Sequence, residues 1–139
     1  MRASWLYRVA AVLLLLFSAG HTLGFRKVDP RWGIAALVNT MKTASFQVNG
    51  FPRTYWDFYV GFGLFVSVLL LFAALVCWQM AELEPAVLRT MRVVTWSLAL
   101  CFVAVTWLSW RYFFIVPVIF SVVVALVLVL AAWRSGRTA

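Results

Sequence analysis

The chain has 139 residues, of which 65% are apolar, 17% aromatic and only 12% charged, with a formal net charge of +8. Soluble domains run nearer about 45–50% apolar and about 25% charged, so a water-soluble globule is excluded. Two cysteines are too few for a secreted disulfide scaffold, and the length allows one domain, a small helical membrane bundle.

Four apolar stretches read as transmembrane helices, over 5–25, 58–80, 88–110 and 112–133. Each has about the 20 residues needed to cross ~30 Å of hydrocarbon at 1.5 Å per residue. Continuous apolar runs lack the alternation of barrel strands, which leaves helices to satisfy the backbone in lipid. The expected fold class is all-α, a four-helix transmembrane bundle forming a single domain over 1–139.

Arg2 and Arg8 flank the start of the first stretch, whose apolar core runs from Val9 to Phe17. Ser18-Ala19-Gly20 resembles a signal-peptidase site, but apolar character continues through Leu23 and Phe25, so a retained helix is expected. Gly20 and Gly24 form a G-x-x-x-G pair that lets another helix approach closely.

The long connection 26–57 follows. Asp29-Pro30 is an N-cap with proline at N1, and Trp32, Ala35, Val38 and Met41 then recur at helical spacing. This predicts a short interfacial helix over 30–43, with Trp32 in the headgroups. Asn49-Gly50 predicts a turn before the second span. Glu84-Pro85 suits the start of the third helix, and Pro117 is expected to kink or delay the fourth.

Basic residues divide evenly between the two sides. Arg2, Arg8, Arg89, Arg92, Arg134 and Arg137 lie on one, and Arg26, Lys27, Arg31, Lys42, Arg53 and Arg111 on the other. Simple counting therefore assigns no orientation. Arginines before the first apolar core resemble a signal anchor, which favours both termini inside.

His21 is the one histidine, placed about 7–8 Å into the membrane from Arg26. Ionisable groups at such depth are costly and often functional. Asp57 opens the second span, with Thr54 at capping-box spacing and Arg53 four residues before it. Both residues fall on the same membrane face, so packing of the first two spans would let the carboxylate orient the imidazole as an acid–base pair. The bland alternatives are an interfacial histidine bonded to the loop and a carboxylate that only caps its helix. Arg53, Tyr55, Trp56, Phe58, Tyr59, Phe62, Trp107, Trp110 and Tyr112 crowd that face, either as belt residues or as an aromatic rim for an apolar ligand. One histidine and the unlinked Cys77 and Cys101 cannot build a haem or zinc centre, so no metal or cofactor is expected.

Gly-His-Thr-Leu-Gly (20–24), paired with Arg-Thr-Tyr-Trp-Asp-Phe-Tyr-Val-Gly-Phe-Gly (53–63), resembles an uncharacterised family of small bacterial four-helix integral membrane proteins. The resemblance would cover nearly the whole chain; it implies the architecture and a bacterial inner membrane, and no activity. The topology is also similar, at the level of fold alone, to sterol-isomerase-like (EXPERA) and DoxX-like proteins.

Three functional readings follow. The first is a protein that binds a lipid, quinone or isoprenoid-like molecule in an aromatic-rimmed pocket near His21 and Asp57. The second is an isomerase- or cyclase-type membrane enzyme using that pair. The third is a structural subunit or assembly factor of a larger membrane complex. Expected partners are membrane lipids or an apolar small molecule, a second copy or a membrane complex, and no nucleic acid.

Overall fold

Four helices are long and apolar enough to cross a membrane, and they account for most of the chain. The structure is a computed structural model and describes residues 2–136. In chain order the elements are α1 (Ala3–Gly24), a 3-10 turn (Pro30–Trp32), α2 (Ala35–Thr43), β1 (Ser45–Val48), β2 (Phe51–Thr54), α3 (Tyr55–Glu82), α4 (Pro85–Thr90), α5 (Arg92–Tyr112) and α6 (Ile115–Ser135). The spans are α1, α3, α5 and α6, so the fold is an all-α four-helix bundle, and the protein is an integral membrane protein.

Contacts divide the chain into two compact units, Met1–Phe17 with Leu70–Ala139, and Ser18–Leu69. In the first unit each span buries one stripe at helical spacing. Leu6, Tyr7, Ala10, Ala11 and Leu14 come from α1, and Leu70, Ala73, Ala74, Cys77, Met80 and Ala81 from α3. Thr95, Ala99 and Phe102 come from α5, and Val124, Ala125, Leu128, Ala131 and Ala132 from α6. The many alanines let backbones come close, as helices must in lipid, where packing replaces the hydrophobic drive between them. Phe17 stacks on Phe120 with centroids 5.3 Å apart, and Arg8 pairs with Glu82 at 3.1 Å on the surface. The buried Tyr7 hydroxyl has no hydrogen-bond partner of good geometry. Its polar neighbours Thr95 and Ser135 donate instead to the carbonyls of Arg92 and Ala131.

The second unit corrects the expected interfacial helix. Asp29 does cap, accepting from the Arg31 N–H at 2.9 Å, but it starts only a 3-10 turn. Gly33 then takes a left-handed φ of 65°, which ends that turn before α2 begins at Ala35. After α2 comes a β-hairpin where only a turn was expected. Ser45 pairs with Thr54 and Val48 with Phe51, across Asn49 and Gly50 at φ 49° and 86°. Two positive-φ residues in a two-residue loop match the twist of paired strands, and Asn-Gly is the sequence that tolerates them.

Other boundaries move for local reasons. α3 begins at Tyr55 rather than 58, because Asp57 sits inside its first turn. The third apolar stretch breaks at Met91 into α4 and α5. Pro117 delays α6 to Ile115, occupying its first turn, where the missing N–H costs nothing.

Candidate functional site

Ser18, His21 and Thr22 share one face of α1, at positions i, i+3 and i+4. They meet Gly63 and Ser67, one turn apart on α3. Ser18 Oγ donates to the Ser67 carbonyl at 2.9 Å. Thr22 Oγ1 has two acceptors in reach, Ser18 O at 2.7 Å and Ser67 Oγ at 2.8 Å, and its single proton serves one at a time. Ser67 Oγ in turn reaches the Gly63 carbonyl at 3.2 Å.

His21 Nε2 stands 3.0 Å from that same Gly63 carbonyl. A carbonyl only accepts, so Nε2 carries the proton, and in the neutral ring Nδ1 is the acceptor. The imidazole stacks on Phe25, with centroids 5.1 Å apart and planes 14° from parallel. Phe25 continues the array to Tyr59 at 5.9 Å, and Tyr59 to Trp56 at 5.2 Å. Lys42 of α2 places its ammonium 4.6 Å from the Trp56 ring, a cation–π contact. The Tyr59 hydroxyl donates to the Phe25 carbonyl. Gly63 admits the Phe25 ring: a Cβ there would stand 2.8 Å from Phe25 Cζ and closer still to two other ring atoms.

Asp57 is engaged elsewhere. Its Oδ2 accepts from the Thr54 N–H at 2.8 Å, and its own N–H donates to Thr54 Oγ1 at 3.1 Å. This reciprocal pair is the capping box that the Thr54–Asp57 spacing predicts. Arg53 does not pair with Asp57; its Nη1 donates to the Pro52 carbonyl at 2.7 Å, and its guanidinium lies 5.6 Å from the Phe51 ring. The structure therefore does not bring His21 and Asp57 together. Six residues separate Asp57 from Gly63, about 9 Å along the helix.

A second ring array starts in the hairpin. Phe46 of β1 lies 4.9 Å from Tyr55 and 6.0 Å from Phe58. Phe58 then approaches Phe62 at 6.5 Å, and Phe62 meets Phe65 edge-on at 6.4 Å. Trp107, Trp110 and Tyr112 belong to the other unit, where they stand exposed near the end of α5. Among the described residues no three His, Cys, Asp or Glu side chains gather as metal ligands would.

Sequence reasoning missed Ser18, Thr22, Phe25, Lys42, Phe46 and Ser67. A signal existed for the first two: hydroxyl residues four apart on either side of His21, in an otherwise apolar helix, suit an interhelical polar seam. Comparison with protein-family models, with curated proteins and with solved structures finds nothing that matches this chain.

Proposed function

We propose that the protein is a small, non-catalytic membrane protein that binds a lipid-, quinone- or isoprenoid-like molecule along the aromatic face of α3. The carrying observation is the exposed run Phe58, Phe62 and Phe65, the last two 65% and 66% exposed within a span. Their four- and three-residue spacing lines one face. Flat, polarisable rings in a row suit a long apolar chain lying against them, on an exposed helix face rather than in an enclosed pocket.

The acid–base reading has less support. It needs both ionisable groups on one reacting atom, while His21 Nε2 is bonded to Gly63 and Asp57 caps α3. The subunit reading keeps one observation in its favour. A Cβ at Gly20 or Gly24 would meet nothing within 4 Å among the described residues, so that notch is open to an outside helix. A bacterial inner membrane with both termini cytoplasmic fits the motif resemblance and the arginines before the first apolar core.

The test is mass spectrometry of lipids co-purified with wild type, Phe62→Ala and Phe65→Ala. Loss of one apolar species in both variants, at unchanged helicity, supports the reading. An unchanged lipid profile in both refutes it. His21→Gln and Asp57→Asn are expected to retain the ligand, because neither side chain lies on the ring face.

A further inference from the structure

At the other end of the first unit, the start of α5 and the end of α6 frame an open notch of 210 Å³. Arg92, Trp96, Ala132, Trp133 and Gly136 line it. We infer that this notch binds the phosphate of an anionic phospholipid headgroup.

Charge is the first argument. Among the described residues this end carries Arg2, Arg8, Arg89, Arg92 and Arg134 against Glu82 and Glu84, and Arg8 already occupies Glu82. Among the described residues Arg92 is the one charged side chain in the lining, and none of them offers an entering anion a carboxylate. Its guanidinium offers two parallel donors, the geometry that suits phosphate oxygens.

Depth is the second. Arg92 is the first residue of α5, with Trp96 one turn further in, and Trp133 lies two residues from the end of α6. Tryptophans at span ends mark the headgroup level of a bilayer, where a lipid phosphate resides. Ala132 and the two indole rings line the rest of the notch beside the guanidinium.

Size is the third. At ~30 Å³ per liquid water the notch holds roughly seven waters, room for a phosphodiester but not for a peptide segment. The chemistry recognised is a phosphate oxyanion, whether on a lipid or free, and the depth argues for the lipid. This site is independent of the aromatic face of α3, and its variants leave Phe62 and Phe65 untouched.

The test uses the full chain in detergent micelles, offered equal amounts of phosphatidylglycerol and phosphatidylcholine, with bound lipid counted by native mass spectrometry. Wild type is expected to retain phosphatidylglycerol preferentially. Arg92→Gln removes the donor, and Gly136→Glu puts a carboxylate at the rim. Gly136 is exposed, with ordinary helical φ, and its nearest neighbour to a new Cβ is the Trp133 carbonyl at 3.7 Å, so this second variant spares the fold. Each is expected to lower retention about tenfold, the equivalent of ~1.4 kcal/mol, while Arg89→Gln outside the notch retains the preference. Millimolar inorganic phosphate that fails to compete identifies the lipid as the source; full competition identifies the free anion and overturns the lipid assignment. Equal retention in wild type, Arg92→Gln and Gly136→Glu, or no preference over phosphatidylcholine in wild type, overturns the site.

Discussion

Gly63→Ala and Gly61→Ala are two chemically identical changes, two residues apart on α3, for which the structure demands different outcomes. At Gly61 an added methyl meets nothing within 4 Å, whereas at Gly63 it overlaps the Phe25 ring. That ring cannot simply swing away. It is stacked on His21 at 5.1 Å, leans on Tyr59 at 5.9 Å, and its residue's carbonyl accepts the Tyr59 hydroxyl. Forcing a methyl into such a site costs about 1–3 kcal/mol, and each aromatic pair it disturbs is worth about 0.5–1.5 kcal/mol of that. Opposing this is the helix preference of alanine over glycine, about 1 kcal/mol in water and less where the unfolded reference remains helical in the membrane. Gly63→Ala is therefore expected to destabilise by about 1–2 kcal/mol, and Gly61→Ala to be neutral or stabilising by up to about 1 kcal/mol. Equilibrium unfolding in mixed micelles, followed by far-UV circular dichroism, measures both. Equal stability of the two variants would refute the claim that Gly63 exists to seat Phe25.

Three further outcomes follow from particular bonds. Asp57→Asn should leave the thermal midpoint near wild type, because the asparagine Oδ1 still accepts from the Thr54 N–H, while Asp57→Ala lowers it; equal loss in both would mean that charge matters more than the capping box. Tyr7→Phe removes a buried hydroxyl that has no hydrogen bond of good geometry among the described residues, so unfolding should show a change within about 1 kcal/mol of zero or a gain, and a loss beyond that would reveal a hidden bond. The Arg31 side chain, and then its N–H, hold the Asp29 carboxyl below the ordinary carboxylate range. A depressed acid stabilises fully above its unfolded value near ~3.9 and loses that contribution as pH falls through the lower folded value. The Arg31 amide resonance should accordingly stay constant from neutral pH down to about 4 and move only below it, and a titration at higher pH would contradict the pairing.

Much of the architecture was legible because it depends on composition and on neighbours in sequence. Four apolar runs of about 20 residues have no option in lipid except the helix, whatever they pack against. The Thr54–Asp57 capping box was equally legible, since both partners lie within one turn. So was the Asn49-Gly50 turn, although strands as short as Ser45–Val48 and Phe51–Thr54, the second holding Pro52, carry too few alternating positions to announce a hairpin.

What the sequence by itself determined is therefore membrane class, span count and local caps. The tertiary structure alone decided which side chains meet. Counting residues from the helix ends placed His21 and Asp57 at one depth, but periodicity says nothing about how far one helix slides or rotates against another. The slide that forms puts His21 against Gly63, about 9 Å from Asp57 along α3, where a residue without a Cβ admits the Phe25 ring. It also aligns Ser18 and Thr22 with Ser67, so these three hydroxyl groups are satisfied together. In a medium that offers no water to a stray donor, that joint satisfaction sets the register, and the register makes His21 part of a seam rather than half of an acid–base pair.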